Sequence, residues 1–171
     1  MRLGRSMITA TLAILGLGLQ GAELKEGMPA PAFQAQDQHG RTVSLGDFKG
    51  KSAVVLYFYP KDDTPGCTAQ ACSLRDGHGA LLAAGAVVLG VSADDVTSHK
   101  AFAEKFNLPF SLLADPKKAI IESYGVGMPV VGLAKRVTFV IDRAGIIRKI
   151  LTSIDTKNHD DQVLEVLKTL G

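Results

Sequence analysis

No tryptophan occurs in the 171 residues, so intrinsic fluorescence is a poor reporter for this chain. Cysteine is confined to Cys67 and Cys72. Two thiols five positions apart are too few and too close to form a disulfide framework, which points to redox chemistry instead. No lysine-arginine run is present, and a body without one offers no electrostatic footprint for nucleic acid. The histidines His39, His78, His99 and His159 are scattered over expected loops and helix ends. None stands at a cysteine-histidine spacing typical of zinc, so no metal site is expected. Gly16-Leu-Gly18 and Gly125-Val-Gly127 lack the strand–loop–helix context of a phosphate loop. Repeats, low-complexity tracts and linkers are also missing, and one domain follows from the length.

Charge is unevenly placed. Arg2 and Arg5 are the only charged side chains before Glu23, and the remainder carries 17 basic and 17 acidic residues. Behind those two arginines, Met7 to Leu19 is an uncharged, mostly apolar run of signal-peptide length, too short for a comfortable membrane span. Residues 1–22 are therefore expected to be a cleaved signal peptide. Residues 23–171 form the domain, exported and periplasmic in a bacterium, with no stable membrane association once the signal is removed. Cleavage near Gly21-Ala22 lacks a clean A-x-A pattern, so an uncleaved anchor stays open. No cysteine lies there to carry a lipid.

With 46% hydrophobic residues the chain can bury a sizeable core. Ser52–Tyr59 is a continuous apolar, β-branched and aromatic run, the pattern of a strand buried on both faces. A helix containing Cys67 follows and is expected to run to about Gly85. Ala86–Ser92 reads as a second buried strand, and Thr97–Phe106 as a helix capped near Thr97 or Ser98. Phe110–Ala114 reads as a short strand and Pro116–Tyr124 as a helical segment. Val137–Ile141 and Ile146–Ile150 read as strands joined by the hairpin loop Asp142-Arg-Ala-Gly145. In a last helix from about His159, Val163, Val166, Leu167 and Leu170 make an i, i+3, i+4, i+7 stripe, with Asn158 as its N-cap. Strands alternating with helices define an α/β class.

The segment Pro60-Lys-Asp-Asp-Thr64-Pro65-Gly66-Cys67 carries the chemistry. Thr64 suits an N-cap and Pro65 the first helical position, which puts Cys67 third. Free amides and the positive end of the helix dipole favour a thiolate there. Such surroundings lower a cysteine pKa from about 8.5 to roughly 3.5–7.5. The alternative of an inert core cysteine fits poorly with a position after Pro-Gly at a helix start. The Thr64 hydroxyl is expected to accept from the Cys67 amide, and Pro60 to end the strand and wall the pocket. Arg136, read alone, is an arginine before a strand and commonly a solvated surface charge.

Pro60-x-x-x-Thr64-x-x-Cys67 resembles the active-site signature of the peroxiredoxins, and Cys67-x4-Cys72 resembles the peroxiredoxin Q branch, also called bacterioferritin comigratory protein. The similarity covers about Leu24 to Leu170. It includes Gly27-Met-Pro-Ala-Pro-Ala-Phe33 and Lys135-Arg136-Val-Thr-Phe-Val-Ile-Asp142. The resemblance implies a thioredoxin-like fold, a central mixed sheet flanked by helices, with an N-terminal extension around Phe33 and Thr42–Ser44. It implies a thiol-dependent hydroperoxide reductase, with no bound cofactor and a thioredoxin-like dithiol protein as reductant. Cys67 would attack peroxide, Cys72 would resolve, Thr64 and Arg136 would stabilise, and Pro60 would shield the thiolate. A monomer is implied, with a dimer open. Gly127–Lys135 is shorter than the corresponding loop of many relatives and leaves hydroperoxide preference undecided.

On an ideal helix, Cα atoms at i and i+5 lie about 8.7 Å apart, whereas a disulfide needs less than about 7 Å. A Cys67–Cys72 bond therefore requires the first turns to unwind. Two other functions share the fold. A thiol–disulfide oxidoreductase is opposed by the Cys-x4-Cys spacing, and by Lys135-Arg136 where such proteins place a proline. A copper or haem-assembly carrier is opposed by the missing histidine or methionine partner.

Overall fold

The computed structural model describes residues 23–171, and the expected signal segment, residues 1–22, lies outside them. A seven-stranded mixed sheet organises the domain, in the order β2-β1-β5-β4-β3-β6-β7. Its strands are β1 (Gln34–Gln36), β2 (Thr42–Ser44), β3 (Ala53–Phe58), β4 (Ala86–Ser92), β5 (Ser111–Ala114), β6 (Val137–Ile141) and β7 (Ile147–Leu151). The helices are α1 (Pro65–Asp76), α2 (His78–Ala83), α3 (Val96–Phe106), α4 (Ala119–Ser123) and α5 (His159–Lys168). None of the described helices is long and apolar enough to cross a membrane.

Every residue of β3 is buried, as its unbroken apolar run requires of a strand covered on both faces. β3 pairs in parallel with β4 and antiparallel with β6. Its side chains alternate between two cores. Ala53, Val55, Tyr57 and Tyr59 pack with Cys67, Ala71, Leu74, Leu81, Phe102, Val163 and Leu167. Val54, Leu56 and Phe58 pack with Phe33, Ile120, Ile121, Tyr124 and Phe139. The α5 stripe expected from its spacing thus lands, through Val163 and Leu167, on the face that also seats the cysteine helix. The N-terminal hairpin β1–β2 adds to the sheet edge through β5.

The expected helix from Cys67 to Gly85 is two helices. Gly77 (φ −85°, ψ 1°) separates them and lies hard against α5, where a Cβ would come within 2.5 Å of the Asp160 Cβ. α3 is capped by Asp95, whose carboxylate accepts the Ser98 amide at 2.8 Å, and not by Thr97 or Ser98. The segment after Pro116 is helical only over Ala119–Ser123, because Lys118 is left-handed (φ 61°). Asn158 stands at the N-cap of α5 but makes no side-chain cap; its amide donates to Asp155 instead.

Candidate active site

The site forms where β3 ends and β6 begins. Antiparallel pairing sets Phe58 opposite Val137, so Arg136, one residue earlier in β6's direction, arrives beside the loop that leaves β3. That loop carries the half-buried Pro60 and Thr64 into α1. Cys67 is the third residue of α1 and only 2% exposed. Arg136 Nη2 donates to Cys67 Sγ at 3.4 Å, and Nη1 donates to Gln70 Oε1 at 2.6 Å. Gln70 is fully buried, so it fixes the guanidinium over the thiol. Gly66 makes room for this approach: a Cβ there would stand 3.1 Å from Arg136 Nη2.

The loop is held from α3. Asp62 accepts from Tyr59 Oη at 2.6 Å and from Ser98 Oγ at 2.8 Å, and meets His99 Nδ1 at 2.7 Å. His99 Nε2 lies 3.1 Å from the Leu113 carbonyl. Both ring nitrogens of His99 therefore face oxygen atoms, the Asp62 carboxylate on one side and the Leu113 carbonyl on the other. The Asp62 amide donates to Asp94, and Lys105 pairs with Asp63 at 2.7 Å. Asp62, Asp94 and His99 bring donor atoms within 4.8 Å of one another. Each is already engaged in these hydrogen bonds, so the cluster acts as a brace for the loop.

The Thr64 hydroxyl does not cap α1. It donates to the Lys61 carbonyl at 2.8 Å, because the left-handed Asp63 (φ 54°) turns the loop back on itself. The first-turn amides are thus left without a side-chain acceptor. Cys72 is half-buried, and with α1 unbroken both cysteines are free thiols. Beneath them, burial and then the charges of Asp62 and the cysteines push the Tyr57 phenol well above its ordinary range. Among the described buried side chains, Tyr57 Oη and Gln70 Nε2 lack a partner.

The pattern of the AhpC/TSA family, which resembles this arrangement in sequence, matches residues 27–150. The chain belongs to the AhpC/TSA family. It is similar to the chloroplastic peroxiredoxin Q of Populus jackii, 45% identical over 151 residues, covering 87% of this chain and 70% of that one. It is also similar to the putative peroxiredoxin bcp of Coxiella burnetii, 43% identical and covering 82% of this chain and 97% of the relative. Among solved structures, peroxidoxin BcpB from Mycobacterium tuberculosis superposes with a TM-score of 0.81 at 32% identity, covering 86% and 99% of the two chains. These findings place the chain with the peroxiredoxin Q and bcp peroxiredoxins, which are thiol peroxidases.

Within this peroxiredoxin, the loop after β3 and the start of α1 carry Pro60, Thr64 and Cys67 to the end of the sheet where Arg136 enters β6, while Cys72 lies five residues farther along α1. Sequence reasoning missed Gln70, although its i+3 spacing from Cys67 put it on the same helix face. It also missed the buried His99 and Asp62, whose pairing depends on how α3 packs. The short loop Gly127–Lys135 closes as a tight turn, with the Met128 amide on the Leu133 carbonyl and Val130 left-handed (φ 70°) at its exposed tip.

Proposed function

We propose that Cys67, as thiolate, attacks the terminal oxygen of a hydroperoxide. The S–O bond forms as the O–O bond breaks. The leaving alkoxide or hydroxide takes a proton to become alcohol or water, and Cys67 becomes a sulfenic acid. Arg136 stabilises the shifting charge with fixed donors, and the unfilled amides at the start of α1 assist. Cys72 then attacks the Cys67 sulfur; the S–S bond forms, the S–O bond breaks, and the hydroxide leaves as water with the proton given up by the Cys72 thiol. A thioredoxin-like dithiol protein returns the disulfide to two thiols. The observation that carries this reading is the 3.4 Å contact of Arg136 Nη2 on Cys67 Sγ at the third position of a helix. Exposure of only 2% at Cys67 suits a small peroxide and not a partner protein's disulfide, which weighs against direct protein disulfide exchange.

Rapid-quench mass spectrometry of the reduced protein with one equivalent of hydrogen peroxide tests the reading. The expected result is a Cys67–Cys72 disulfide formed orders of magnitude faster than free cysteine reacts, with sulfenic acid at Cys67 in Cys72→Ser. A rate equal to that of free cysteine would overturn it. We propose further that residues 1–22 direct export to the periplasm. N-terminal mass analysis of protein recovered from a periplasmic fraction, starting near residue 23, checks this.

A further inference from the structure

The two halves of α1 are held by different contacts. The first half is tied by Arg136 to Cys67 and Gln70, bonds that lie inside the segment which must unwind before Cys72 can reach Cys67. The residue immediately after Cys72 is tied elsewhere. Ser73, 7% exposed, donates from Oγ to Asp160 Oδ1 at 2.6 Å, and the same oxygen accepts the Asp160 amide at 3.1 Å. Asn158 leaves α5 without a side-chain cap of its own, so a serine of another helix serves an amide in its first turn. Gly77 then brings the end of α1 against Asp160 at a distance no Cβ would allow.

We propose that Ser73 and Asp160 form a latch that confines the unwinding of α1 to Thr64–Cys72 and holds the helix from Ser73 onward in the disulfide form. The inference rests on the Cys67–Cys72 disulfide proposed above. Once that segment unwinds, Ser73–Asp76 is a single turn, far below the length at which a helix stands alone in water. Its remaining support is the fully buried Leu74, Arg75 Nη1 on the Phe106 carbonyl at 2.8 Å, the Gly77 amide on the Ser73 carbonyl at 3.0 Å, and the latch. A hydroxyl donating to a carboxylate is a charge-assisted bond and suits that task. The latch thereby keeps Cys72 positioned on a fixed stub while the Cys67 side of the loop moves toward it.

Residue-resolved amide exchange of the reduced protein tests the latch without any peroxide. Helical amides bond four residues back, so those of Thr68 to Asp76 depend on carbonyls of Thr64 to Cys72 and should open together. The Gly77 and Leu81 amides, bonded to the Ser73 and Gly77 carbonyls, should exchange at least about tenfold more slowly, the scale of one such bond. Ser73→Ala should erase this step, and Asp160→Asn, which retains the amide and a side-chain oxygen, should largely keep it. A flat profile in the wild-type protein, or an unchanged step in Ser73→Ala, overturns the latch. Thiol titration after peroxide treatment separates the two ideas. Two surviving thiols would remove Cys72 as the resolving residue, while the reduced-state profile still decides the latch.

Discussion

Arg136 touches two partners on α1, and at the scale of single residues its position depends as much on what is small as on what is charged. Gly66 is needed for its lack of a side chain, not for an unusual backbone, since any Cβ would press on the guanidinium. Gly66→Ala should therefore slow Cys67 oxidation by roughly a few-fold to tenfold through a small displacement of the donors. Arg136→Gln removes the charge and should cost on the order of 10²-fold or more in the same rate, the scale of losing an oriented donor at a developing charge. Both are read by rapid-quench oxidation with peroxide, and equal rates for Arg136→Gln and wild type would exclude its stabilising role. Arginine was legible as a candidate only through the motif around it. Nothing in a lone pre-strand arginine distinguishes a solvated charge from one laid on a thiol.

Single elements act here by bracing others. α3 holds the active-site loop through Ser98, His99 and Lys105, and its core contact is the buried Phe102. His99→Leu would leave the buried Asp62 carboxylate with only the Tyr59 and Ser98 hydroxyls and should destabilise the fold by about 1–3 kcal/mol, measured by urea denaturation. α5 carries a second buried histidine. His159 Nδ1 lies 3.1 Å from Gln162 Oε1 and Nε2 lies 2.9 Å from the Thr138 hydroxyl. Burial holds its pKa below the ordinary 6.5. The unfolded chain therefore binds the proton first as pH falls, and stability is lost from about pH 6.5 downward. His159→Gln should flatten that acid limb between about pH 7 and 5 in denaturant titrations. An unaltered limb would assign it to other groups, including His78, whose pKa burial also lowers.

For the whole molecule, the sheet register decides the site. β3 and β6 run antiparallel, so the end of one and the start of the other coincide, and Pro60 and Arg136, 76 positions apart, come to the same end of the sheet. Oxidation should cost the molecule roughly two turns of helix, since Cys67 and Cys72 cannot pair across an intact α1. Far-UV circular dichroism of peroxide-treated and reduced protein checks this, and identical helical signals would exclude the unwinding. The sequence by itself determined the α/β order, the buried central strand and the place of Cys67 in the first turn of a helix, because each is encoded locally in apolar runs, periodicity, and the Thr-Pro-Gly-Cys start of a helix. It also determined the helix–cysteine conflict, which is a matter of spacing alone. Only the tertiary structure decided that Thr64 turns to Lys61, that Gly77 breaks the helix, that His99 braces Asp62, and that Ser73 caps α5. The Thr64 turn follows from the left-handed Asp63, and the others depend on which element packs beside which. Hydrogen-bond partners far apart in sequence are chosen by that packing and leave no periodic trace in the chain.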